Sequence, residues 1–276
     1  MKTMFELPPE LAVGLVDSHA HVTQRTNNLS AQRHSQPEVD VSATDYMNLL
    51  QDHGLTYGVL TAPSFYGMDN TVLLQALQEY PINLRGVVNA GPETTEDQLK
   101  QWDSQGVVGV RFNLIRRDSV PDFSEKSYQD FFQRLKQLRW HVEIYIESNR
   151  FAETVAPILE SGVDLIIDHF GYPVEPEGID ALGFRAVLKA LQKPNVHVKL
   201  SAPYRMSFSS MLPVAQALKD AGGVESMVWG SDWPWVSFRE GQRFDLCMAW
   251  LVQWIPDPHE RYMVASENAR RLFRFI

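Results

Sequence analysis

A single cysteine in 276 residues, Cys247, excludes an internal disulfide and any cysteine-based zinc cluster. No apolar run reaches the length of a membrane span. Met1–Gly14, with Glu6, Glu10 and two prolines, has no stretch resembling a leader. Basic residues are in deficit: 25 Lys and Arg against 34 Asp and Glu leave a net charge of −9. That balance argues against a chain built to hold nucleic acid or an anionic membrane surface. It leaves room for a basic pocket inside an acidic shell. A glycine-rich phosphate loop, a nucleophile elbow and a Cys–His arrangement are all missing. These absences lead us to expect a soluble cytoplasmic protein that acts on a small molecule.

What the chain does have is regular alternation. Residues 44% hydrophobic and 21% charged can bury a large core. Eight segments rich in Val, Ile and Leu recur: Leu15–Val22, Tyr57–Pro63, Leu84–Ala90, Val107–Asn113, His141–Glu147, Asp164–Phe170, Val196–Ala202 and Met227–Trp233. Between them lie amphipathic stretches such as Thr44–His53, Thr71–Tyr80, Lys126–Leu138, Ile179–Gln192 and Met211–Ala221. Strand and helix alternating eight times predict parallel strands closed into a (β/α)8 TIM barrel, a single domain spanning 1–276. A doubly wound open sheet is the competing architecture. The polar stretch 23–40 is too long for a simple turn and is expected to lie as a loop over the barrel mouth. Ser266–Phe273 is predicted to form a terminal helix, with Arg270 and Arg271 in its last turns.

Barrel chemistry sits at the C-terminal ends of the strands, so polar residues there carry the search for a site. Strand 1 ends in Asp17-Ser18-His19-Ala20-His21, and plain alternation places Asp17, His19 and His21 on the luminal face. Two imidazoles so arranged can reach one metal ion or one carbonyl; the bland alternative is a pair of surface histidines. Strand 6 ends in Asp168-His169-Phe170-Gly171, where Leu165, Ile167 and His169 share a face expected to point inward. Asp232, after the apolar run of strand 8, is expected to be desolvated and so more basic, able to take a proton from water or to ligate a metal. A helix N-cap is its structural alternative.

Arginines gather at two further strand ends. Arg111, Arg116 and Arg117 follow strand 4, and Arg205 follows strand 7, making a mouth suited to carboxylates; solvated loop charge is the alternative, strongest for Arg116. On strand 5, His141, Glu143, Tyr145 and Glu147 share one face, with Tyr145 placed to hydrogen-bond substrate. Lys199 on strand 7 is a candidate buried partner for Asp17. His34, His53, His197 and His259 show no pattern that singles them out.

Taken together, Val16-Asp17-Ser18-His19-Ala20-His21, Ile167-Asp168-His169-Phe170-Gly171 and Trp229-Gly230-Ser231-Asp232-Trp233-Pro234 resemble the amidohydrolase superfamily, in its amidohydrolase 2 branch. The tail Glu267–Phe273 is similar to the end of that family. Within the branch, the likeness is to lactonases of the 2-pyrone-4,6-dicarboxylate hydrolase type. The resemblance implies a hydrolase that opens a small carboxylated lactone. In it, His19, His21 and His169 polarise the carbonyl and Asp232 activates water, while Arg111, Arg117, Arg205 and Tyr145 bind substrate. It also implies that His19, His21, His169 and Asp232 can hold one divalent ion, zinc foremost, although metal-free relatives share this set. No lysine ends strand 4 to bridge two metals. Trp235 stands where these lactonases usually carry a histidine. Two alternatives stay open: a zinc-dependent decarboxylase of an aromatic or muconate-like acid, and an inactive barrel acting as a binding protein.

Overall fold

A computed structural model describes residues 5–174 and 178–275; the two ends of the expected 1–276 domain lie outside the described residues. Eight parallel strands run in chain order: β1 (Val16–Ala20), β2 (Tyr57–Thr61), β3 (Leu84–Val88), β4 (Val107–Asn113), β5 (His141–Tyr145), β6 (Asp164–Ile167), β7 (Val196–Leu200) and β8 (Met227–Trp229). Helices α1 (Ala43–Asp52), α2 (Thr71–Glu79), α3 (Glu96–Ser104), α4 (Lys126–Gln137), α5 (Ser148–Ser161), α6 (Leu182–Ala190), α7 (Leu212–Gly222) and α8 (Phe244–Trp254) each follow a strand. The molecule is a single-domain (β/α)8 barrel.

Local chemistry explains the pieces. Helix α1 starts in a reciprocal cap: Ser42 Oγ accepts from the Asp45 N–H, and the Asp45 carboxylate accepts from the Ser42 N–H. In α4, Phe131, Phe132 and Leu135 form the buried stripe. Closure depends on the segment after β8. The Asp232 N–H donates to the His19 carbonyl at 2.8 Å, and the His21 N–H donates to the Trp233 carbonyl at 2.8 Å. Gly230 permits this approach, because a Cβ there would lie 2.6 Å from the His19 Cβ.

The lower lumen is filled by Val16, Val59, Val87, Val108, Ile166 and Val228, all fully buried. Phe273 and Phe275 close it from below. The expected terminal helix is present as α10 (Asn268–Leu272), entered through a π turn over Met263–Glu267, with a short α9 (Pro258–Tyr262) before it. None of the described helices is long and apolar enough to cross a membrane.

Two expectations about strand faces need correction. In β1, the register passes from Asp17↔Gly58 to Ala20↔Leu60, so Ser18 and His19 together oppose one residue of β2. This bulge resets the alternation: Val16 points into the lumen, Asp17 faces away from it, and His19 and His21 turn back toward the mouth. Asp17 is fully buried and accepts from the Ser231 N–H at 2.8 Å and the Ser231 hydroxyl at 2.5 Å. Its carboxyl is pushed up to about 6 by burial, partly offset by these hydrogen bonds. In β6, Ile166 rather than Leu165 and Ile167 lies in the lumen, which makes Asp168 the next inward residue. Lys199 therefore does not meet Asp17. Its partners are Glu143 and Asp168.

Candidate active site

The chemistry-bearing side chains stand on the luminal layer above the valines. Lys199, fully buried, donates to Glu143 and lies 3.4 Å from Asp168 Oδ1 and 3.1 Å from His19 Nδ1. Asp168 also accepts from Arg111 Nε at 2.9 Å. Burial alone would raise the Asp168 carboxyl, but the Lys199 and Arg111 cations hold it well below its ordinary range. Asp168, Glu143 and Lys199 thus form a compensated charge network beneath the site. Sequence reasoning noted Glu143 on the Tyr145 face and Asp168 in its motif, yet gave neither a role.

Above this network, His19, His21, His169 and Asp232 converge. His19 Nε2 and His21 Nε2 lie 3.6 and 3.5 Å from Asp232 Oδ1. The His169 and His19 ring centroids are 4.9 Å apart. His169 reaches this position because β6 ends at Ile167 and the backbone turns at His169 with φ 49°; Asp232 has φ 59°. Such left-handed conformations in non-glycine residues cost about 1–3 kcal/mol each, and here they aim two functional groups at one point.

Hydrogen bonds set the ring orientations. The Thr61 carbonyl can only accept, so His21 Nδ1 donates to it at 2.6 Å and leaves Nε2 facing Asp232. His169 Nδ1 pairs with the Ser201 hydroxyl at 2.8 Å, which leaves its Nε2 for the site. His19 Nδ1 lies between an obligate donor, Lys199 Nζ, and an acceptor, Asp168 Oδ1, 3.5 Å away. When Lys199 donates, His19 Nε2 carries the hydrogen and points it into the reaction space. When His19 donates to Asp168, Nε2 presents a lone pair instead. Burial, followed by Lys199, keeps His19 well below the ordinary histidine range, and burial lowers His169 to about 3. Both rings are neutral at physiological pH.

Asp232 departs from the expectation of raised basicity. Burial does push its carboxyl up, but the Arg205 cation holds it well below the carboxylate range. Tyr204 donates to its Oδ2 at 2.6 Å, and Arg205 does so through Nε at 2.8 Å and Nη2 at 2.7 Å. Oδ1 has no hydrogen-bond partner, nor has His19 Nε2. These two orphaned atoms lie 3.6 Å apart, and buried polar groups left unpaired are costly.

The ligand atoms of His19, His169 and Asp232 lie within 4.8 Å of one another, as do those of His19, Glu143 and Asp168. The two groups differ in their fitness for a cation. The second already contains the Lys199 ammonium. The first, with orphaned nitrogen and oxygen donors, fits one divalent ion.

A cavity of about 110 Å³ opens over the site. His21, Arg111, Tyr145, His169, Arg205 and Asp232 all line it. Arg117 does not: it lines adjoining clefts and donates to the Gln32 carbonyl at 2.5 Å. Arg116, the arginine with the stronger claim to be loop charge, lines the cavity from an exposed position. The 23–40 loop contributes His34 and Ser35 to the cavity and is tied down by the Ser30 N–H to the Phe65 carbonyl at 2.7 Å. His34 had no distinguishing pattern because loop placement over a mouth leaves no periodic trace. Trp235 lies outside the cavity lining, its indole N–H spent on the Ser231 carbonyl at 3.1 Å.

With this geometry in view, the likeness to known proteins has a physical basis. The Amidohydrolase family pattern matches residues 16–275, and the chain belongs to that family. Among curated relatives, it is 26% identical to 4-sulfomuconolactone hydrolase of Hydrogenophaga intermedia, over 98% of this chain and 90% of the relative. It is 28% identical to a 2-pyrone-4,6-dicarboxylate hydrolase of Comamonas testosteroni, over 99% of this chain and 92% of the relative. A solved structure of a probable 2-pyrone-4,6-dicarboxylic acid hydrolase from Acinetobacter baumannii, with citric acid bound, superposes with a TM-score of 0.90 at 28% identity, covering 95% of this chain and all of the other.

Proposed function

We propose that the protein hydrolyses the ring ester of a small carboxylated lactone. The observation that carries this reading is the convergence of His19, His21, His169 and Asp232 beneath a cavity lined by Arg111 and Arg205. Full-length similarity to two lactone hydrolases supports it.

The chain's own groups suffice to write the reaction. Arg111, whose terminal nitrogens are left free by its Nε bond to Asp168, anchors the substrate carboxylate with Arg205. Tyr145 lies between them as a hydroxyl donor; burial raises its pKa, so it stays protonated. The lactone carbonyl oxygen sits against the histidine cluster, where His19 Nε2–H donates to it as negative charge develops. Water occupies the space beside Asp232 Oδ1, and its oxygen forms the new bond to the carbonyl carbon. Asp232 Oδ1 takes the water proton and passes it to the ring oxygen as the ring C–O bond breaks. A weakly basic Asp232 favours the second transfer. An ion held by His19 Nε2, His169 Nε2 and Asp232, zinc by its donor types, would polarise the same carbonyl. A cytoplasmic setting, resting on the lone buried Cys247, belongs to the same reading.

A panel of carboxylated lactones, assayed with and without added zinc, tests the proposal. Products that gain one water support it. Loss of carbon dioxide from carboxylated substrates would replace it with decarboxylation, and tight binding without turnover would leave a binding protein.

A further inference from the structure

We infer that Asp17 is a positioning residue for Asp232: its buried carboxylate holds the turn after β8 so that Asp232 Oδ1 stands beside His19 and His21. This rests on the lactone-hydrolase reading above, in which Asp232 moves the proton. Asp17 does not line the cavity over the site, and no step of that reaction uses it. Its Oδ1 accepts from two backbone groups at once, the His19 N–H at 3.2 Å and the Ser231 N–H at 2.8 Å. One oxygen thereby ties the residue that carries the first imidazole to the residue that precedes Asp232. Its Oδ2 accepts from the Ser231 hydroxyl at 2.5 Å, and that hydroxyl oxygen accepts in turn from the Trp233 N–H at 3.0 Å. The chain is therefore held on both sides of Asp232.

Asp232 needs such a hold. Its φ of 59° is a left-handed conformation, which a non-glycine residue keeps only where its surroundings over-determine it. Tyr204 and Arg205 grip Oδ2 alone, so the direction of Oδ1 depends on where the Asp232 backbone lies relative to His19. The Asp232 N–H reaches the His19 carbonyl at 2.8 Å, and Asp17 fixes the residue before it to the same strand. The β1 bulge makes this possible, because plain alternation would have turned Asp17 to the lumen with His19. Among the described residues, the groups bonded to Asp17 are neutral, so its burial is not offset by an ion pair. A carboxylate kept at that cost is accounted for by what it holds in place.

Variants of the purified full chain test the inference; the kinetic probe is 2-pyrone-4,6-dicarboxylate or, where another lactone of the panel above turns over faster, that lactone. Asp17→Ala should lower kcat about 10²-fold with KM changed by no more than about twofold, the cost of a misplacement of about 1 Å. Asp17→Asn keeps an oxygen for both N–H groups and should recover about tenfold of that loss. Ser231→Ala loses only the hydroxyl link and should fall about tenfold, and adding it to Asp17→Asn should cost little more, because both break one link. Crystal structures of the variants should show Asp232 Oδ1 drawn away from His19 and His21 Nε2, which it approaches at 3.6 and 3.5 Å, with the barrel unchanged. Unchanged kcat with Asp232 in its native place, or a fall in kcat with Asp232 unmoved, overturns the inference and leaves the hydrolase reading intact. If Asp232 moves and kcat holds, the positioning stands and Asp232 leaves the mechanism. If the wild-type chain hydrolyses no lactone of the panel, the hydrolase reading falls, and the crystallographic place of Asp232 alone decides the inference. Should Asp17→Ala not fold, Asp17→Asn and Ser231→Ala carry the test.

Discussion

In the lower lumen, five valines and one isoleucine from six strands meet in a dry layer, while a few residues higher the same barrel wall presents Lys199, Glu143, Asp168 and four catalytic candidates. Every polar requirement is absent from the first region by composition. In the second, charges compensate one another: Lys199 with Glu143 and Asp168, Arg205 with Asp232. Yet compensation stops short of His19 Nε2 and Asp232 Oδ1, which have no hydrogen-bond partners. The lower half is built for stability alone. The upper half gives up some stability to leave donors and acceptors directed at a ligand.

Substitutions can sharpen this contrast. Asp232→Asn should have the largest effect, lowering kcat by about 10²–10⁴-fold while substrate affinity changes little. Full activity in that variant would remove Asp232 from the mechanism. Lys199→Met leaves the carboxylates of Glu143 and Asp168 buried without their ammonium, and should cost about 3–5 kcal/mol in denaturant unfolding. The double variant Lys199→Met/Glu143→Leu should recover much of that loss, because it removes the stranded charge. No recovery would show that Lys199 stabilises the fold by packing.

In the lower layer, Val108→Ala should destabilise by roughly 2 kcal/mol with kcat unchanged, since it opens a small apolar cavity far from the reacting groups. A fall in kcat would mean that the two halves are mechanically coupled. A further effect concerns pH. His197, buried beside Arg271 at the lower mouth, is lowered to about 4 chiefly by burial. The unfolded chain takes up this proton near pH 6.5, before the folded one does, so stability present above that pH is lost as pH falls toward 4. His197→Gln should reduce this acid-side loss by roughly 3 kcal/mol at most, read as the difference between the two proteins' unfolding free energies at pH 7 and pH 4. Identical pH profiles would sink the assignment.

Much of the barrel was legible because its signal is local. Each strand announces itself by β-branched residues, and each helix by its apolar spacing, so eight alternations could be counted directly. The polar residues at strand ends were legible for the same reason: His19, His21, His169 and Asp232 interrupt runs that would otherwise be core. Face assignments were less secure. One bulged residue between Asp17 and Ala20 reversed the side of Asp17, and in β6 the luminal place of Ile166 made Asp168, just beyond the strand, the next inward residue. Arg116 and Arg117 are adjacent in sequence, yet only Arg116 reaches the cavity. A positive φ at Arg116 and the Glu147 carboxylate accepting its N–H at 2.8 Å shape that turn, and neither is written in spacing.

The His-x-His pair shows where the division falls. By itself the sequence determined that two imidazoles stand at the end of a first strand, because residue type and hydrophobic alternation are properties of a short segment. Only the tertiary structure decided what each ring presents. His21 is oriented by a carbonyl of β2, and His19 is set between Lys199 of β7 and Asp168 just beyond β6. Hydrogen placement on a buried ring depends on which donors and acceptors surround it, and those come from strands brought together by barrel closure.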